Sequence, residues 1–230
     1  MELQKTKEYK YEAGSLVGFV QQLASNILPH GYWFYCMGVV PDDKCLDRVD
    51  RKLLSKYQIA ISRQQRARRK ATGQANLHYL RLGRVWILLA THGRHEFFES
   101  ESKNIRDCRK VPIQVGGYSI SVKQGGVLRK IDEQRPVTSD PKMRVRVQIS
   151  RERFREILYY FQEIACRQTS ESLGRELYNI PFEPYAPVRR QLLTVVRKVN
   201  ERRELVGLDK LPYSVLRYQR HIVKPFESGT

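Results

Sequence analysis

Acidic residues are missing from the middle of this chain. Between Arg51 and His95 lie 45 residues, eleven of them Lys or Arg and none Asp or Glu. Charges of both signs normally intersperse on a protein surface, so this stretch leaves its positive potential uncompensated within itself. Long apolar runs are also missing. The longest, Tyr32 to Val40, has nine residues, too short to cross a bilayer. The N-terminus carries no apolar stretch placed like a signal peptide, so the chain is expected to stay inside the cell, in the cytoplasm, with no membrane partner. Cysteine is sparse: Cys36, Cys45, Cys108 and Cys166 stand far apart with no CxxC pair, which predicts reduced thiols rather than a disulfide framework or a zinc site. GxGxxG, GxxxxGK[ST], GxSxG and HExxH are absent, which argues against the common nucleotide-binding and hydrolytic classes; no cofactor and no metal is expected.

What is present is cationic. The formal net charge is +18 over 230 residues, a self-repulsion that a polyanion relieves. With 41% apolar residues the chain can still build a core. At the centre of the acid-free stretch is Ser62-Arg63-Gln64-Gln65-Arg66-Ala67-Arg68-Arg69-Lys70-Ala71-Thr72-Gly73. Its residues are good helix formers as far as Gly73, and a helix aligns Arg63, Arg66, Arg69 and Lys70 on one side with Arg68 displaced around the axis. Guanidinium groups bridge phosphates bidentately and release condensed counterions, and Gln64, Gln65 and Asn76 are of the type that touches base edges. The bland alternative is a solvated helix face.

Aromatic residues interleave with the cations: His78-Tyr79 before Arg81 and Arg84, Tyr159 beside Arg155, Tyr218 between Arg217 and Arg220. Such rings stack on unpaired bases, or else are half-buried structural tyrosines. A second basic face is predicted from Arg144 and Arg146 on a strand into Arg151 and Arg155 on the next helix. Catalytic candidates are thinner. His92 and His95 flank a turn, with Tyr159 or Tyr160 as a nucleophile in an endonuclease reading. Two ligands on one strand share a face at a spacing of two, whereas these are three apart. Glu96, Glu99 and Glu101 loosely resemble nuclease carboxylates, and His30 is a lone loop histidine more often structural than catalytic.

The local patterns predict helices near 15–28 (Ser15 as cap, Pro29 as stop), 44–57 (capped by Asp42 or Asp43) and 151–168 (capped by Ser150), and a proline-started helix from Pro187 through Leu205 closed by Gly207. Leu46, Val49, Leu53 and Tyr57 mark the second helix as an ordinary amphipathic core element. A strand over 31–40 is read as buried on both faces. Residues 83–90 and 95–99 are read as a hairpin, Gly116-Gly117 as a β-bulge, Gln124-Gly125-Gly126 as a turn into Val127-Leu128, and 132–142 as a loop. Met143 to Ile149 alternates, with Val145, Val147 and Ile149 inward. Together these give an α+β fold: one antiparallel sheet of five or six strands covered by helices, with a helical C-terminal lobe. The division expected is a polar arm (1–12), an α+β domain (13–169) and a basic helical lobe (170–230). The function expected is non-catalytic binding of structured or single-stranded RNA or DNA, with Arg63, Arg66, Arg68, Arg69 and Lys70 on the backbone and Tyr79, Arg81, Arg84, Arg144, Arg146, Arg151 and Arg155 extending the track. The alternatives are the endonuclease and a basic scaffold subunit of a ribonucleoprotein.

Overall fold

Apolar and aromatic strands gather into a four-stranded antiparallel sheet at the front of the chain. In the computed structural model, which describes residues 9–126 and 140–227, β1 (Phe34–Val39), β2 (Leu77–Leu82), β3 (Val85–Ala90) and β4 (Arg106–Asp107) lie in the order β2-β3-β1-β4. Gly83 at φ +55° lets β2 reverse into β3 over two residues, so that Leu82 opposes Val85. Helix α1 (Leu16–Gln21), capped by the Ser15 hydroxyl, continues into a π turn (Gln22–Ile27) and a 3-10 turn holding Pro29. Next come α2 (Leu46–Lys56), α3 (Arg63–Ala71) and α4 (Glu96–Ser100). Cys36, Tyr57, Ile59, Leu77, Tyr79, Leu88, Ala90 and Phe97 form a buried cluster between them.

A second sheet holds β5 (Ile113–Val115), β6 (Tyr118–Gln124) and β7 (Met143–Ile149), and the chain ends in α5 (Arg151–Ile164), α6 (Ser170–Tyr178) and α7 (Ala186–Leu205). The α+β class with a helical C-terminal lobe therefore holds, but with two sheets in place of one. The chain divides into two units. The first comprises described residues 9–111, 122–126, 140–145 and 223–227, and the second 112–121 and 146–222. Helix α5 falls in the same unit as α6 and α7, and the boundary between the units runs inside β6 and β7. In the second unit the Gln191 amide accepts from Ile149 N–H and donates to Ile149 C=O, closing the end of β7 as a strand would. Arg203 is buried there on the carbonyls of Ala165, Gln168 and Asp209.

Several local expectations change. Residues 96–100 are helix, not strand, because the apolar pair Phe97-Phe98 is consecutive rather than alternating and His95 caps the turn by accepting from Phe97 N–H. Gly116 and Gly117, both at positive φ (+52° and +80°), form the two-residue turn of a β5–β6 hairpin; the flip in parity marks a reversal of direction and not a bulge. The backbone at Cys45, not Asp42 or Asp43, leads into α2, with no side-chain cap. Strand β1 is buried on both faces only at Tyr35 and Cys36, and its end is open, with Val39 64% exposed. From Tyr9 onward the N-terminal arm is tied to β2 through Arg81 N–H to Tyr11 C=O and Ala13 N–H to Arg81 C=O. Val127-Leu128 and most of the predicted loop, 132–139, lie outside the described residues.

All four cysteines are free; Cys36 and Cys108 are buried, and burial pushes both thiols up to about 12. Among the described residues no helix is long and apolar enough to cross a membrane.

Candidate nucleic-acid interface

Helix α3 has no buried residue, so hydrophobic packing does not hold it. Its start is fixed by a reciprocal capping box, in which Ser62 Oγ accepts from Gln65 N–H and Gln65 Oε1 accepts from Ser62 N–H. Gly73 at φ +72° ends it. The remaining attachment is made by arginines. Arg66 donates to the carbonyls of Ile59 (3.2 Å), Ile61 (3.4 Å) and Leu77 (3.4 Å), to the Tyr32 hydroxyl (3.4 Å) and to His78 Nε2 (3.0 Å). Arg69 donates to the carbonyl and the side-chain oxygen of Gln58 (3.4 and 2.8 Å). The side predicted to carry the phosphate-binding row is, at Arg66 and Arg69, the side that docks the helix. Asn76 is likewise structural: its amide nitrogen donates to Arg66 C=O and the residue is buried. The cations of α3 left exposed and without a carboxylate partner among the described residues are Arg63, Arg68 and Lys70. Arg68, the residue set aside as displaced, is on the outer face.

The rest of the predicted track breaks up. Arg81 is 2% exposed and cannot meet a ligand: Nε pairs with Asp50 (3.0 Å), Nη2 with Glu12 (2.9 Å), and Nη1 donates to Gly83 C=O (2.6 Å). Asp50 is fully buried and also accepts from the Tyr79 hydroxyl. Tyr79, 1% exposed, is part of that core network and no stacking platform. Arg84 pairs with Asp42 (2.9 Å) and caps the carbonyls of Val40, Pro41 and Asp42. Arg144 pairs with Asp140 (2.6 Å) in the first unit. Arg146, Arg151 and Arg155 stand in the second unit, exposed, and on α5 Arg151, Arg155 and Tyr159 (67% exposed) follow one another at four-residue spacing.

Arg94 was not singled out by sequence, being one cation in a turn. The turn brings it beside the end of α3: Arg94 N–H donates to Gly73 C=O, and Ala75 N–H to Arg94 C=O. Gly93, at φ +137°, makes this approach possible, since a Cβ there would lie 2.5 Å from Ala75 N. The result is a hollow of about 260 Å³ lined by Lys56, Gln58, Arg69, Gln74, Arg94 and His95, with Glu96 as its one carboxylate. It adjoins a second of about 280 Å³ that shares Gln58, Arg69 and Gln74 and adds Gln65 and Arg68. Cations and amides together are the donor set that binds phosphate and reads base edges.

Several of the catalytic candidates are held in structural contacts. His95 Nδ1 accepts from Phe97 N–H and its ring bonds the Tyr57 backbone; burial first, then Arg69, lowers its pKa, so it is held neutral with both nitrogens engaged. Glu101 accepts from the Tyr57 hydroxyl (2.7 Å) and His30 bonds Asn26 C=O. Tyr159 and Tyr160 are in the second unit, and Tyr160 donates to Glu176. Among the described residues no three His, Cys, Asp or Glu side chains group as metal ligands.

His78 supplies a pH-dependent anchor for α3. Arg66 has only donors, so His78 Nε2 accepts from it, and the ring proton sits on Nδ1, donated to the Tyr9 hydroxyl (3.1 Å). Tyr9 in turn accepts from Tyr79 N–H and donates to Tyr79 C=O. Burial, then the charges of Arg66 and His30, lower the His78 pKa to about 3. The unfolded chain takes up this proton near pH 6.5 while the folded chain resists it. Stability is therefore complete above pH 6.5 and is lost as pH falls from 6.5 toward 3, by at most about 1.4 kcal/mol per pH unit. Thermal melts between pH 7 and pH 4 should show a steeper loss for the wild type than for His78→Gln; parallel curves would refute the assignment of a neutral, half-buried imidazole.

Fold and surface thus define a strongly basic α+β protein with an arginine-docked helix. No family model, curated protein or solved structure matches the chain.

Proposed function

We propose that the protein binds nucleic acid without cleaving it, gripping the phosphate backbone with the outer face of α3 and the two adjoining hollows. The observation that supports this most is that Arg63, Arg68 and Lys70 stay exposed with no carboxylate partner among the described residues, although the chain pairs Arg81, Arg84 and Arg144 with its own acids. Beside them Arg94, Gln58 and Gln74 offer further donors. RNA or DNA is the polyanion that suits a cation row of this kind. The four free thiols suit a reducing, intracellular setting.

The test is a salt titration of binding to a labelled oligonucleotide. Neutralising Arg63, Arg68 and Lys70 together to Gln should lower affinity and reduce the magnitude of the log K against log[salt] slope by about 2 to 3, each phosphate contact being worth about 0.7–0.9. The melting temperature should stay within about 2 °C, since all three side chains are solvated. An unchanged slope would overturn the assignment, and shortened oligonucleotide after incubation would overturn the non-catalytic reading.

A further inference from the structure

Helix α2 was read as an ordinary core element, yet its only fully buried residue is Asp50. Leu53 packs against the buried cluster that holds Tyr57, and Val49, Leu53 and Tyr57 also line a cleft of about 910 Å³ shared with Val39 and Trp86 of the first sheet. Along the wall of that cleft stand Lys44, just before the helix, and Arg48, Lys52 and Lys56 on it, the last three spaced by four residues over about 12 Å at 1.5 Å per residue. None of the four has a carboxylate partner among the described residues. The carboxylates on the cleft are Asp43 and Glu101, and Glu101 is held by the Tyr57 hydroxyl.

The floor is an aromatic platform. Trp86 opposes Gly38 across the β1–β3 ladder, and a Cβ at Gly38 would lie 2.9 Å from the indole ring. The missing side chain lets the ring lie against the strand. At its far end the cleft meets the hollow beside α3, because Lys56 lines both. Cation rail, apolar floor and the α3 hollows thus make one path within the first unit.

We propose that this path holds a single strand of nucleic acid, its phosphates on Lys44, Arg48, Lys52 and Lys56 and a base stacked on Trp86, the strand then passing Arg94 and Arg69 toward Arg68. A duplex keeps its bases inward and cannot use the platform, whereas an unpaired base presents a π-face to it. This inference rests on the nucleic-acid reading and narrows it to strands with exposed bases.

The test uses the full chain, a mixed-sequence single-stranded RNA 20-mer, the same RNA as a duplex, and poly-glutamate. Arg48→Gln/Lys52→Gln and, separately, Gly38→Val, which displaces the ring without removing a cation, should each weaken single-strand binding by about tenfold and duplex binding by less than about threefold. In a Trp33→Phe background the single strand should quench the Trp86 fluorescence. Single-strand binding that survives both variants with no quenching overturns the path while leaving the α3 interface standing. Poly-glutamate binding that these variants abolish, with RNA unaffected, reassigns the cleft to an acidic peptide and also overturns the path. If wild-type protein binds neither RNA, the nucleic-acid reading fails as well.

Discussion

Replacing Asp50 by Ala is expected to lower the unfolding free energy by about 3–5 kcal/mol, the usual cost of removing one partner from a buried ion pair. Asp50 is fully enclosed, and it is the only buried carboxylate on Arg81, whose other acid, Glu12, is 61% exposed at the side chain. Without Asp50 the guanidinium stays inside with a solvated partner and one carbonyl, and the Tyr79 hydroxyl loses its acceptor. Urea denaturation with a double-mutant cycle through Arg81→Met measures this. The double variant should recover part of the loss, because no unpaired charge then remains buried. A cost below about 1 kcal/mol for Asp50→Ala would show that the pair is solvated.

The second large effect is a contrast inside one motif. Arg66→Ala should destabilise the protein by about 2–3 kcal/mol, whereas Arg68→Ala, two residues on, should change stability by no more than about 0.5 kcal/mol. Each substitution removes one positive charge from the same helix, so a charge effect alone predicts equal outcomes. The difference comes from what the guanidinium touches: Arg66 satisfies three carbonyls, a tyrosine hydroxyl and His78. Arg68 is exposed and bonded to none of these. Nucleic-acid affinity should invert the ranking once the folded fraction is corrected for, with Arg68→Ala the weaker binder. Equal melting temperatures for the two variants would remove the docking role assigned to Arg66.

The same contrast explains how far the sequence could be read. Helix α3 was legible, because Ser62 through Gly73 is a run of good helix formers closed by glycine. Which side of it faces the protein was not, because that reading expects apolar residues to mark the inward face and here arginine fills the role. Helix α2 misled in the opposite sense: Leu46, Val49 and Leu53 have the spacing of a core stripe, but no element covers Val49 and Leu53 fully, so they line a cleft. The four-residue spacing of Lys44, Arg48, Lys52 and Lys56 is visible in the sequence, but only the cleft beside them gives it meaning. In the same way, Gly116-Gly117 carried a turn signal whose type depends on whether β6 returns along β5.

The α+β class, the serine caps of α1 and α5, the close of α3 at Gly73, the span of α7, the alternation of β7 and the excess of positive charge were legible in the sequence, because each follows from contacts within a few residues or from composition. Which cations remain available depends on partners that only the folded chain brings together. An arginine's reach lets it find a carboxylate or hydroxyl far along the chain, as Arg81 finds Asp50 and Arg66 finds Tyr32. Once a guanidinium is desolvated on such partners, its charge holds the fold together and is no longer open to a ligand.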